Sequence, residues 1–142
     1  MGIALPGAVA AALYSPGRRI VAVMGDGGFL MNSQELETAK RLGLAFTVLI
    51  LNDNDYGLIS WKQQMSHGRS MGTKITNPDF KAYAESFGIK GYRPTTLPAL
   101  KEQLAHALAG GLNVFDIPVD TRVNNELIRK LKAMESNKNG NH

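Results

Sequence analysis

Two short acidic segments are the residues of this chain best suited to chemistry. Asp26 lies in a Gly-Asp-Gly sequence and Asp53 in the sequence Asn-Asp-Asn-Asp, and an apolar run precedes each of them. Oxygen donors at this density suit Mg²⁺ or Ca²⁺, and Mg²⁺ is typically held by one or two carboxylates together with phosphate oxygens of a ligand. The two segments therefore predict a clamp for a divalent cation and a phosphorylated ligand.

Glycines surround the first acid. Gly25, Gly27 and Gly28 permit a positive φ and leave the main chain open to a ligand, so we expect a sharp turn there. The alternative is that both acidic segments are ordinary turns, because Gly, Asn and Asp dominate turns for local reasons. The presence of two such segments, each after a predicted buried strand, favours the clamp.

The elements that must position these acids alternate along the chain. Strands are predicted at 20–24, 46–51, 89–93 and 113–119, and helices at 8–14, 34–42, 56–65, 78–87, 98–109 and 124–134. This order predicts an α/β fold, a doubly wound parallel sheet with helices on both faces. Because the carboxyl ends of neighbouring parallel strands converge, Asp26 and Asp53 are expected to meet at one edge of the sheet.

Several boundaries follow from single residues. Ser33 is expected to cap the helix 34–42, and Pro78 to occupy the first position of the helix 78–87. The stretch 66–76 is predicted to be a mobile loop. Residues 1–134 are predicted to form one domain, followed by a disordered polar tail at 135–142.

The acidic segments resemble the thiamine-diphosphate motif, in which Gly-Asp-Gly is followed by a paired Asn-Asn or Asn-Asp. The separation of Asp26 from Asp53, 27 positions, suits that motif. The resemblance implies thiamine diphosphate and Mg²⁺ as cofactors, with Asp26, Asp53 and the main-chain carbonyl of Asp55 as metal ligands. Many members of the family have Asn at the position of Asp53.

The resemblance extends along most of the chain. Met1 falls on the bulky apolar residue that supports the bent cofactor, and the segment from Tyr56 to Ile59 resembles the stretch that wraps the diphosphate. The implied cofactor contacts are Met1, Gly25, Gly27, Gly28, Tyr56, Gly57 and Leu58. The segment 117–120, with Asn124 just beyond it, looks like the final strand of acetolactate synthases of the catabolic kind.

The same resemblance implies a substrate pocket lined by Leu58, Ile59 and Trp61. The substrate would be a small 2-oxo acid: pyruvate is decarboxylated and its two-carbon unit joins a second pyruvate to give acetolactate. On spacing alone, the three residues are equally well explained as a core-facing stripe of a helix.

In this family the cofactor bridges two domains. The second one binds the pyrimidine ring and supplies an activating Glu, so no catalytic residue is expected in this chain. The resemblance implies a pyrimidine-binding domain from the same or another chain as partner and a homo-oligomeric full enzyme. It implies FAD only as a possible ligand of a middle domain that this segment does not contain. The chain is expected to be a fragment of a larger enzyme, or one subunit of a split one, and inactive alone.

Composition excludes other classes of protein. The chain has 16 basic and 12 acidic side chains and no basic block interleaved with aromatics, which disfavours nucleic-acid binding. Its apolar runs are shorter than the roughly 18 residues needed to span a membrane. It has no cysteine, so disulfides and thiolate metal sites are excluded. A cytoplasmic location is expected by default.

Two rival functions stay open. One is a different thiamine-diphosphate chemistry, such as a 2-oxo acid decarboxylase, a carboligase or a lyase. The other is a non-enzymatic α/β module that only binds a phosphate ligand. The sequence that follows the first strand lacks the Gly-x-Gly-x-x-Gly pattern of dinucleotide-binding proteins.

Overall fold

Four parallel strands form the centre of the structure. The computed structural model describes residues 1–121, and the predicted helix 124–134 and tail 135–142 lie outside them. The strands are β1 (Val21–Gly25), β2 (Phe46–Asn52), β3 (Lys90–Tyr92) and β4 (Leu112–Pro118). The helices are α1 (Ala4–Tyr14), α2 (Asp26–Leu30), α3 (Glu35–Arg41), α4 (Gly57–His67), α5 (Phe80–Ser86) and α6 (Leu97–Ala107). The strand order is β1-β2-β4-β3 with every pair parallel, which confirms the predicted fold class.

The two faces of the sheet carry different layers. Buried side chains of α1, α3 and α5 form one core with Ala22, Val48 and Val114, which lie on one face of the sheet. The direction of strand addition reverses between β3 and β4, so a right-handed connection places α6 on the opposite face. On that face Phe115 is fully buried and its ring stacks on Tyr92, with 4.4 Å between ring centroids. Strand β2 is central, as predicted.

Aromatic packing connects α2 with α5. The Phe29 ring meets Phe80 and Tyr83 edge to face, at centroid distances of 5.2 and 6.1 Å. Such pairs contribute about 0.5–1.5 kcal/mol each beyond the area they bury. This contact fixes the helix that begins at Asp26 against the helix that follows Asp79.

Two predicted helix starts are wrong. Ser33 does not cap α3, because its hydroxyl forms a hydrogen bond of 3.0 Å with the Tyr83 hydroxyl instead. Pro78 lies before α5 and not within it. The cap is Asp79, whose carboxylate accepts from the main-chain N–H of Ala82 at 3.0 Å.

Two other elements are longer than predicted. Helix α1 begins at Ala4, and Pro6 is tolerated there because the first helical turn leaves its N–H groups without helical partners. Helix α4 continues to His67, so the connecting loop begins at Gly68, in the left-handed conformation that commonly ends a helix. Of the helices in residues 1–121, none combines the length and apolar character needed to cross a membrane.

The approach of α5 to β3 generates a stability prediction. A Cβ added at Gly91 would lie 2.5 Å from the main-chain oxygen of Lys81 and 3.0 Å from its Cα. Gly91→Ala should therefore lower the free energy of unfolding by about 1–3 kcal/mol, because the backbone must shift. Urea denaturation of the purified chain measures this change.

The matched control is Gly7→Ala. Gly7 lies in α1 with no heavy atom within 4 Å of the added Cβ, so alanine should stabilise the chain by about 0.5–1 kcal/mol. Equal unfolding free energies for the two variants would contradict the close α5–β3 approach.

Candidate functional site

Asp26 is a buried carboxylate at the carboxyl end of β1. Its side chain is 2% exposed. Its Oδ1 accepts from the N–H of Gly27 at 2.8 Å, and its Oδ2 accepts from the N–H of Asn54 at 2.8 Å and the amide of Asn77 at 2.6 Å. Within residues 1–121, no Lys, Arg or His forms an ion pair with it. A buried charge with hydrogen bonds but no counter-charge is suited to receive a cation.

Asp53 lies beside it, at the end of β2. Strands β1 and β2 pair in parallel, with Gly25 opposite Leu51, so the residues that follow them converge as predicted. Burial raises the pKa of Asp53, and the negative charge of Asp26 raises it further, against a weaker lowering by the N–H of Asp55. The structure thus brings together two like charges whose repulsion a divalent cation would relieve.

The side chain of Asp55 is engaged elsewhere. Its carboxylate lies 3.1 Å from the Nζ of Lys74. Burial raises the pKa of Asp55, but hydrogen bonds from Thr73, Lys74 and Ser60 outweigh it and lower the pKa overall. Within residues 1–121 no three His, Cys, Asp or Glu side chains converge on one point. A cation at this site would therefore need main-chain and ligand oxygens besides Asp26 and Asp53.

The loop after α4 is tied to this turn. The N–H of Tyr56 donates to the carbonyl of Thr73 at 2.9 Å, and the N–H of Ile75 donates to the carbonyl of Asn54 at 3.1 Å. Asn54 has a φ of 55°, a left-handed conformation that asparagine tolerates better than most residues. The second half of the predicted loop 66–76 is therefore fastened to the turn that carries Asp53 and Asp55.

The glycines around Asp26 serve a purpose other than the predicted one. Gly25, Gly27 and Gly28 all lie outside the positive-φ region, so the chain turns here without the positive φ that these glycines permit. A Cβ at Gly27 would overlap the ring of Tyr56, and a Cβ at Gly57 would lie 3.0 Å from Oδ2 of Asp53. Gly27 and Gly57 are needed for close packing at the site and not for backbone torsion.

Helix α4 carries the predicted pocket residues. It has no buried residue, and Leu58 and Ile59 are 67% and 44% exposed, while Trp61 is half-buried. The alternative of a core-facing stripe is therefore wrong, and a pocket role stays a prediction. Met1 is exposed too. The main-chain N of its neighbour Gly2 lies 4.0 Å from a Cβ built on Gly28, so the start of the chain lies beside α2.

A polar network lies behind the acids, and it was not predicted from the sequence. The amide of Asn77 also donates to Oδ1 of Asn52 at 2.9 Å, and the amide of Asn52 donates to Oδ1 of Asp116 at 2.8 Å. Arg93 lies 3.3 Å from Oδ2 of Asp116. The one available signal was Asp116 itself, the one charged residue of strand β4.

Similarity to known proteins extends over most of the chain. Residues 1–117 match the family described as "Thiamine pyrophosphate enzyme, C-terminal TPP binding domain". The catabolic acetolactate synthase of Raoultella terrigena is 42% identical over 132 residues, which cover 92% of this chain and 24% of that protein.

Two proteins of Bacillus subtilis are also similar. An acetolactate synthase is 39% identical over 125 residues, covering 84% of this chain and 21% of that protein. A putative thiamine pyrophosphate-containing protein, YdaP, is 42% identical over 126 residues, covering 89% of this chain and 21% of that protein. The chain thus spans about a quarter or less of the length of these relatives.

The contacts of Asp55 generate a pH prediction. Its pKa is lowered in the folded chain, so its carboxylate stabilises the fold above the ordinary pKa of 3.8, and this contribution is lost as the pH falls through the lowered value. Asp55→Asn should cost about 1 kcal/mol of unfolding free energy at neutral pH. The difference from the wild-type chain should shrink in acid.

Denaturant titrations from neutral pH down through the carboxylate range measure this difference. Lys74→Met is the control for the ion pair alone, because Lys74 is 77% exposed and such pairs contribute little. A cost of Asp55→Asn that stayed constant across the pH range would contradict the assignment.

Proposed function

The chain belongs to the thiamine pyrophosphate enzyme family as a C-terminal cofactor-binding domain, and from that premise we propose that its two acids hold the diphosphate of thiamine diphosphate through Mg²⁺. The proposal of a metal rests on the environment of Asp26. This residue is buried, lacks a cationic partner within residues 1–121, and raises the pKa of the neighbouring Asp53. A divalent cation held by both carboxylates would offset their mutual repulsion.

The donor set suits Mg²⁺. Asp26 and Asp53 would each give a carboxylate oxygen and Asp55 its main-chain carbonyl, and the diphosphate and water would complete the shell. Mg²⁺ takes oxygen ligands and is usually bound by one or two carboxylates plus ligand phosphates. The engagement of the Asp55 side chain with Lys74 supports a role for its carbonyl alone.

The proposed cofactor contacts surround these acids. They are Met1, Gly25, Gly27, Gly28, Tyr56, Gly57 and Leu58. The contact of the Tyr56 ring with Gly27 and the position of Gly2 beside Gly28 support them. When bound, thiamine diphosphate would supply the electron sink that decarboxylation of a 2-oxo acid requires. This chain would orient the cofactor and neutralise its diphosphate.

For the whole enzyme we propose acetolactate synthesis from two pyruvates, in a homo-oligomer. Relatives named acetolactate synthase support it. The pyrimidine-binding domain, with its activating Glu, would be a separate part, so this chain alone would be inactive. Leu58, Ile59 and Trp61 would line the substrate pocket, and the exposure of Leu58 and Ile59 on α4 supports this.

A second candidate is another thiamine-diphosphate chemistry on a 2-oxo acid. The relative YdaP, which is as similar as the catabolic acetolactate synthase, is named only as a putative thiamine pyrophosphate-containing protein. Incubation of the whole enzyme with pyruvate separates the two candidates. Acetolactate as the product supports the first, and acetaldehyde supports the second.

Cofactor binding can be tested on the purified chain by calorimetric titration with thiamine diphosphate, with and without Mg²⁺. Binding should require the metal, and Asp26→Asn should weaken it at least about tenfold because a charged ligand is lost. Glu37→Gln on α3 is the matched control, since it removes an acid that only forms a surface ion pair. Metal-independent binding, equal binding by Asp26→Asn, or no binding would overturn the clamp.

The pocket can be tested in the whole enzyme through Trp61→Ala. Removing the ring should raise the use of 2-oxobutyrate over pyruvate as acceptor by about tenfold or more, since one methylene is worth that much in an apolar pocket. Lys101→Ala, an exposed position on α6, should leave the preference unchanged. Competition between the two acceptors measures the ratio. An unaltered ratio in Trp61→Ala would argue against the pocket role.

A further inference from the structure

Asn77 joins the two strand ends at the site from a distant part of the chain. It precedes α5, and its side-chain amide donates to Oδ2 of Asp26 at 2.6 Å and to Oδ1 of Asn52 at 2.9 Å. The amide group has two hydrogens, so both are used. Among residues 1–121, Asn77 is the sole side chain that donates to Asp26.

The direction of these hydrogen bonds is fixed by two carboxylates. Ionised Asp26 can only accept, so it must face the amide nitrogen of Asn77. Ionised Asp116 can likewise only accept, so Asn52 turns its nitrogen to Asp116 and its oxygen to Asn77. An amide at position 77 therefore satisfies both neighbours, and a side chain without two donors does not.

We propose that Asn77 is a positioning residue for the metal clamp, holding the carboxylate of Asp26 in the orientation that binds a divalent cation. This inference rests on the proposed function. The N–H groups of Gly27 and Asn54 hold opposite oxygens of Asp26 from the main chain. The third donor, from Asn77, completes a set that fixes the plane of the carboxylate.

Asn77 belongs to the short segment immediately before α5, residues 77–79, here called the strap. At one end Asn77 reaches Asp26 after β1 and Asn52 of β2. At the other end Asp79 lies 3.9 Å from Arg93, which follows β3 and pairs with Asp116 of β4 at 3.3 Å. The strap therefore links the ends of β1 and β2 to Arg93, which follows β3, and α5, which follows the strap, is packed on Phe29 of α2. A shift of α5 would move the donor that orients Asp26.

The test measures metal affinity without turnover. Mn²⁺ replaces Mg²⁺, and free Mn²⁺ is counted by electron paramagnetic resonance in the presence of the purified chain and thiamine diphosphate. Asn77→Ala should weaken Mn²⁺ binding by about 10–100-fold, the usual effect of removing a group that orients a metal ligand. The free energy of unfolding without metal is measured for each variant by urea denaturation.

Asn113→Ala is the matched control. Its amide also bridges several groups, the carbonyls of Ala107, Gly110 and Gly111, but at the other end of the sheet. Asn113→Ala should lose stability and keep the affinity of the wild-type chain for Mn²⁺. An equal loss of affinity in both variants would show a general effect of destabilisation and overturn the proposal.

The remaining outcomes separate this inference from the proposed function. If Asp26→Asn loses Mn²⁺ binding and Asn77→Ala binds as the wild-type chain does, the positioning role is wrong and the clamp stands. If the wild-type chain does not bind Mn²⁺, both are wrong. If Asn77→Ala does not fold, Asn77→Ser keeps one hydroxyl donor and should still show weakened binding, and unaltered affinity in it would equally overturn the proposal.

Discussion

The buried charge of Asp26 is the constraint on which the rest of this site depends. A carboxylate that is 2% exposed must be paired or hydrogen-bonded on every side, because an unpaired buried charge is strongly destabilising. Here three N–H groups surround it, and the neighbouring acid Asp53 repels it. The arrangement of the turn at Asn54 and of the strap can be understood as a response to that one charge, which leaves the carboxylate ordered and ready for a cation.

Strand pairing and helix packing position Asp26 and the groups around it. The parallel pairing of β1 with the central strand β2 brings the two acids to one edge. Edge-to-face contacts of Phe29 with Phe80 and Tyr83 hold α5 against α2, and this fixes where the strap ends. The hydrophobic core and the polar network are thus coupled: the core sets the position of the helices, and the helices set the position of the hydrogen-bond donors.

The exposed apolar surface of α4 is the second feature of the site. A helix without a buried residue, bearing Leu58 and Ile59 on its surface, is suited to meet a substrate or another protein surface. An interface at this helix would agree with the proposal that the cofactor is held between this chain and a pyrimidine-binding domain. Under the proposed function, the acids of this chain would hold the metal, and the apolar surface of α4 would face a second domain.

By itself the sequence determined the α/β class, the central position of strand 46–51 and the meeting of Asp26 with Asp53, because apolar runs and the acids that follow them are local features. The tertiary structure alone decided the hydrogen bonds of Asn77 with Asp26, Ser33 with Tyr83 and Asn52 with Asp116, whose partners are 51, 50 and 64 positions apart. It also decided the role of Gly27, which makes room for the ring of Tyr56. Such contacts depend on where the crossovers place α2 and α5, and no local pattern records that placement.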